Sequence, residues 1–167
     1  VQIREQKLKL LKKTIETLWH GTDTKTGDYP KIINLYKEVL KLDYKDRDAW
    51  ENMIWLMWSM SVNSKDSSWL NDAEVFTKRY LSLMPNGYRS YEFTGMFYRS
   101  MKKDEKLSIR YYESAVRFKD CPTTTFHSLV SLCIKNGDRL NALGYTKMGL
   151  KRFKNDPYLS SKLLTLK

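Results

Sequence analysis

Catalysis and metal binding draw on histidine, cysteine and carboxylate side chains set at particular spacings, and this chain of 167 residues holds only two histidines and two cysteines. His20 and His127 have no metal-ligand or triad companions at useful spacing, and there is no glycine-rich loop to cradle a phosphate. Cys121 and Cys133 are too few for a disulfide framework or a four-ligand zinc site. Cys133 follows Leu129 and Leu132 on one apolar helical face, which predicts a buried free thiol. Acidic pairs such as Asp104-Glu105 read as helix-start residues, where carboxylates complement the positive end of the helix dipole. No enzyme, metal or cofactor is indicated. The side chains left to carry a function are those that bind, tryptophan and arginine, the common hot-spot types at interfaces, with Trp55 and Trp58 foremost.

Those tryptophans need a helix to hold them. Seven glycines and four prolines fall well below the average share of about 12% for the two together, so loops are few and the composition is all-α. With 41% hydrophobic residues the chain can bury a core of single-domain size. A helix is expected from about Ala49 to Met60. Asp48, three residues before Glu51, forms an aspartate version of the capping box. Met53, Ile54 and Met57 lie within about 60° of Trp50 at roughly 100° per residue and with it predict the core stripe, which leaves Trp55 and Trp58 off that stripe. A polar loop is expected at residues 61–68.

The most regular helix runs through residues 27–43. Asp28 is placed to cap it, Pro30 is tolerated in its first turn, and Ile32, Leu35, Tyr36, Val39 and Leu42 fall three or four apart. Ahead of it, Ile3, Leu8, Leu11, Ile15 and Leu18 predict a first amphipathic helix over residues 1–19, followed by a polar loop at 20–27. Beyond Met60, helices are expected over Leu70–Leu83, stopped by Met84-Pro85-Asn86-Gly87, then over Ser90–Met101 and Lys106–Phe118. A seventh carries Phe126, Leu129, Val130 and Cys133. Asn136-Gly137-Asp138 makes a turn, an eighth helix runs from Leu140 to Phe153, and residues 158–167 form a short cap or open a further repeat.

Two rulers show a fixed period. Trp50, Tyr91 and Phe126 recur along the first helices of successive hairpins, and Ile32, Ala73, Ser108 and Ala142 along the second, at intervals of 34, 35 and 41 residues. The long interval contains the 61–68 segment. Here the chain resembles the tetratricopeptide repeat (TPR) family, whose unit is a helix-turn-helix of 34 residues. Tyr91, Gly95 and Tyr98 match its first-helix pattern, Gly27-Asp28 and Gly137-Asp138 its turn, and Ser108, Tyr112 and Ala115 its second-helix pattern. Ile32, Val39, Ile54 and Tyr80 depart from it by replacing small residues. The resemblance implies an α-solenoid of about four repeats, over residues 1–46, 47–86, 87–122 and 123–157, wound as a right-handed superhelix in a single domain.

It also implies a concave groove lined by first helices. That places Asp48, Glu51, Asn52, Trp55 and Trp58 on the groove, then Arg89, Glu92, Met96 and Arg99, then Thr124, His127, Ser131 and Lys135. The implied function is a non-enzymatic interaction scaffold that binds a peptide or partner segment with an aromatic or aliphatic anchor and an acidic flank. The alternative is that Trp55 and Trp58 pack under the 61–68 segment as core. Some family members hold acidic chaperone tails in a clamp of lysine, asparagine and arginine. Asn52 and Arg89 fall in clamp-like slots, but Phe93 stands where a second basic residue is expected.

The formal net charge of +11 rises toward the C-terminus, and residues 123–167 carry more than half of it. A basic repeat that binds nucleic acid is the runner-up, through Lys102, Lys103, Lys106, Arg110, Arg117, Lys119, Lys147, Lys151, Arg152 and Lys154. A solvated lysine coat explains the same residues. Self-association through a terminal repeat is a third reading. The longest apolar run, Met53 to Trp58, is far short of the roughly 20 residues that span a bilayer. The sequence opens on Val1 rather than Met, as a processed chain or fragment would, so a leader ahead of it and the compartment are left open.

Overall fold

The computed structural model describes residues 2–20 and 28–166, with the His20 side chain left out. The expected loop at 20–27 and the Gly27-Asp28 turn lie essentially outside them. The described residues form nine α-helices and no strand: α1 (Gln2–His20), α2 (Tyr29–Leu42), α3 (Arg47–Ser64), α4 (Ser68–Leu83), α5 (Tyr88–Phe97), α6 (Glu105–Ala115), α7 (Thr123–Lys135), α8 (Arg139–Arg152) and α9 (Pro157–Leu166). They divide into two compact units, Val1–Met84 and Pro85–Lys167.

In the first unit α1 packs on α2, α2 on α3 and α3 on α4. Because α3 is covered on more than one side, its buried set is wider than one stripe. Trp50, Met53, Ile54 and Met57 are buried as expected, and Ala49, Leu56 and Ser59 join them. Trp50 lies nearly parallel to Tyr80 at 6.1 Å between ring centres, and Phe76 stands 6.2 Å away. Its indole N–H donates to the Tyr44 carbonyl at 2.8 Å. On α2, Ile32, Tyr36 and Val39 are buried together with Ile33 and Leu40. Among the described side chains of α1 only Ile15 is buried, and Ile3, expected on the apolar stripe, is 83% exposed.

Three local expectations are corrected. Asp28 sits at the cap position of α2 but makes no side-chain cap hydrogen bond, because its backbone is already helical (φ −88°, ψ −15°) rather than extended. The cap of α3 is Asp46, not Asp48: Asp46 is extended and its carboxylate accepts from the Ala49 amide at 3.0 Å, whereas Asp48 is already in the first turn. The polar 61–68 segment is mostly helix. α3 runs on to Ser64, ends where Lys65 turns left-handed (φ 56°), and α4 starts at Ser68.

The second unit stacks the α5/α6 hairpin, the α7/α8 hairpin and α9. Its core gathers Tyr112, Val116, Phe126, Leu129, Val130, Leu132, Ala142 and Leu159 with both cysteines. Cys133 is buried as expected, and burial first, then the nearby Asp138 and Glu113 charges, push its thiol up to about 11. Gly95 permits a close approach, since a Cβ there would stand 3.0 Å from the Tyr112 ring. Ser108 donates to the Gly95 carbonyl at 2.7 Å across the same contact.

The interval from Tyr91 to Ser108 holds one residue more than that from Phe126 to Ala142. The surplus is absorbed directly after α5 by a π turn, Tyr98–Lys102, closed by left-handed Lys103 (φ 59°). A π turn is how a helix accommodates one inserted residue without breaking. At the end of the unit Asp156 caps α9 by accepting from the Leu159 amide at 2.8 Å, and Arg139 donates to the Thr165 and Leu166 carbonyls at its other end. The α9 helix covers α8 through buried Leu159 and Leu166.

Candidate functional site

In the first unit, the first helices of the two hairpins carry matching strips. Lys12, Glu16 and Trp19 on α1 are spaced four and then three residues apart, as are Asp48, Asn52 and Trp55 on α3, so each set falls on one helix face. Between them lies an open cleft of about 430 Å³ lined by Lys12, Ile15, Glu16, Trp19, Tyr36, Val39, Asp46, Asp48, Ala49 and Asn52. At one end Lys12 pairs with Asp46 at 2.5 Å. At the other, Trp19 meets Trp55 with 6.3 Å between ring centres, and Trp58 stands edge-on to Trp55 at the same separation. Buried Ile15, Val39 and Ala49 contribute apolar lining. The buried Tyr36 phenol reaches toward the polar side. Burial raises its pKa, a hydrogen bond with Asn52 opposes this, and the charges of Asp46 and Asp48 raise it further.

Trp55 is 40% exposed and Trp58 half-buried, with their ring contacts to α1 and to each other. Asn52 is exposed. Glu51, half-buried, accepts from the Tyr80 hydroxyl at 2.9 Å and so ties α3 to α4. The partners Lys12, Glu16, Trp19, Tyr36 and Asp46 were not among the sequence candidates. The repeated four-plus-three spacing ending in tryptophan was the signal that could have found the α1 strip.

In the second unit several candidates are tied into the fold. Glu92 accepts from the hydroxyl of fully buried Thr125 and links α5 to α7. Lys135 pairs with Glu105, which also accepts from the Asn136 side chain at 2.9 Å. His127 places Nε2 2.9 Å from Asp156 Oδ1, its ring centre lies 4.5 Å from that of Tyr158, and Thr123 Oγ1 stands 3.3 Å from the same Nε2. Threonine, histidine and aspartate thus converge, but hydroxyl and carboxylate meet the same ring nitrogen, whereas a relay needs one on each. The cluster fastens α9 to α7. Arg89, Met96 and Ser131 are half-buried and Thr124 and Arg99 exposed. Arg99 lies near the Tyr112 phenol, whose pKa burial raises against hydrogen bonds from Ser128 and Arg99. The basic residues Lys106, Arg110, Arg117, Lys119, Lys147, Lys151 and Lys154 are exposed. Among the described residues no group of three or more His, Cys, Asp or Glu is placed to hold a metal, and no helix is long and apolar enough to cross a membrane.

No protein-family model and no curated protein matches this chain. Solved structures do. A crystal structure of the MamA protein superposes with a TM-score of 0.65 at 14% identity, covering 97% of this chain and 81% of that one. PilF of Pseudomonas aeruginosa gives 0.60 at 14% identity, covering 99% and 68%. YrrB, described as a TPR protein with an unusual peptide-binding site, gives 0.56 at 21% identity, covering 78% and 63%. At these identities the likeness establishes the fold: an all-α helical-repeat architecture of the TPR type.

Proposed function

We propose that the chain is a non-enzymatic protein-interaction scaffold that binds a peptide or partner segment on the faces of its first helices. The cleft between α1 and α3 is the observation that carries this reading. Its volume of about 430 Å³ lies within the range of ligand sites, roughly 300–1,000 Å³, and it combines apolar lining with a few placed polar groups. Exposed tryptophan beside such a cleft is what an interface anchor requires. The peptide-binding site named for YrrB, a protein of the same fold, supports the same class of function.

The test is affinity capture from the source lysate with wild type and the Trp55→Ala/Trp58→Ala double variant, before and after nuclease treatment. A protein that survives nuclease and is lost with the double variant, while the melting temperature stays nearly unchanged, is the expected result. Capture that ignores the tryptophans and vanishes with nuclease would overturn it in favour of nucleic acid.

A further inference from the structure

The last helix of the second unit keeps the repeat register. Thr125 and Leu132 on α7 are buried, and Leu159 and Leu166, 34 residues further on in α9, are buried in turn. A tie between helix ends recurs at the same interval. Glu105 at the start of α6 holds Lys135 and Asn136 at the end of α7, and Arg139, 34 residues after Glu105, starts α8 and holds the Thr165 and Leu166 carbonyls at the end of α9. In this register α9 is the first helix of a further hairpin.

The complete hairpins show which face of a first helix its second helix covers. Gly95 on α5 faces α6: a Cβ there would stand 3.0 Å from the Tyr112 ring, and the Gly95 carbonyl accepts from Ser108. The same place on α7, 35 residues on, is Val130, which is fully buried in a core shared with Ala142 of α8. On α9 it is Leu164, 77% exposed, with Leu163 half-buried beside it. A helix seated there would remove that leucine from water. Charge indicates which kind of helix. In the complete hairpin the Tyr145 hydroxyl of α8 donates to Glu113 of α6 at 2.6 Å. The counterpart of Glu113 one unit on is Lys147 of α8, which is exposed. Neither α8 nor α9 contains an acidic residue, and their caps are engaged, Asp138 by Asn141 and Asp156 by Leu159 and His127.

We propose that the bared face of α9 takes an amphipathic helix of a partner protein, docked as α8 docks on α7, with its apolar stripe on Leu163 and Leu164 and a carboxylate directed at Lys147. This surface belongs to the second unit and does not rest on the α1–α3 cleft.

The probe is a copy of residues 136–154, stapled into a helix on its outward side and carrying Tyr145→Glu, set against the same copy carrying Tyr145→Lys. Binding is read by the methyl resonances of Leu163 and Leu164 in about 0.1 M salt. The glutamate probe is expected to shift both leucines saturably, and the lysine probe to bind about two- to fivefold more weakly. Lys147→Glu should reverse that preference. Leu164→Ser, with a melting curve as a folding check, should weaken the glutamate probe about tenfold or more, while Leu10→Ser, at an exposed leucine of α1, should not. Methyl signals that ignore both probes overturn the inference, as does a Leu164→Ser variant that binds like wild type. Equal binding of the two probes overturns the acidic partner. Shifts on raising the protein concentration without probe, with a dimer in sedimentation, assign the face to a second copy, and probe binding lost in a chain extended past Lys167 assigns it to that chain's own next helix. Either result overturns the partner helix.

Discussion

At the scale of single residues, bulk and burial outweigh charge. Trp50 is 3% exposed, stacked on Tyr80, and its N–H is satisfied by Tyr44, so Trp50→Ala removes ring contacts and leaves a carbonyl without its donor. A loss of about 3–5 kcal/mol is expected, read as a lower urea midpoint. Asp156 has a different role. Burial alone would raise its pKa, but the Leu159 amide and the His127 ring outweigh that and hold it below the usual carboxylate value. A depressed folded-state pKa contributes stability that is full above the unfolded value near 4 and is lost as pH falls through the folded one. Asp156→Ala should therefore cost about 1–2 kcal/mol at pH 7, and the gap between variant and wild type in urea melts should narrow below about pH 4. A gap constant from pH 7 to 3 would count against the cap and its histidine as the source.

At the scale of elements, helix ends carried the least readable information. Residues 61–68 are serine-rich and polar apart from Val62, so local composition suggested a loop. Packing on α2 and α4 instead draws α3 out to Ser64, and a lysine takes the left-handed position that glycine usually fills. A non-glycine residue there costs about 1–2 kcal/mol. Lys65→Gly should therefore stabilise the protein by about 1 kcal/mol, seen as a raised melting temperature, and no gain would mean that the Lys65 side chain supplies a compensating contact. The π turn at Tyr98–Lys102 belongs to the same scale. One surplus residue in the repeat was countable in the sequence, but that the helix absorbs it at Tyr98–Lys102 is visible only in the structure.

At the scale of the whole molecule, the formal net charge of +11 includes exposed lysines and arginines such as Lys106, Arg110, Lys147 and Lys151. A net charge of that sign repels cations at long range. By itself the sequence determined the all-helical class, the repeat and the core stripe of α3, because a hydrophobic period of 3.6 residues and a recurring unit are properties of the chain read in one dimension. It also set Trp55 and Trp58 off that stripe, since angular position around a helix follows from residue number alone. Only the tertiary structure decided what stands opposite them. The meeting of Trp19 with Trp55, the Lys12–Asp46 pair and the tie of His127 to Asp156 each join segments about 30 residues or more apart. No local spacing encodes those distances; they follow from how buried side-chain volumes set the packing of one helix on the next.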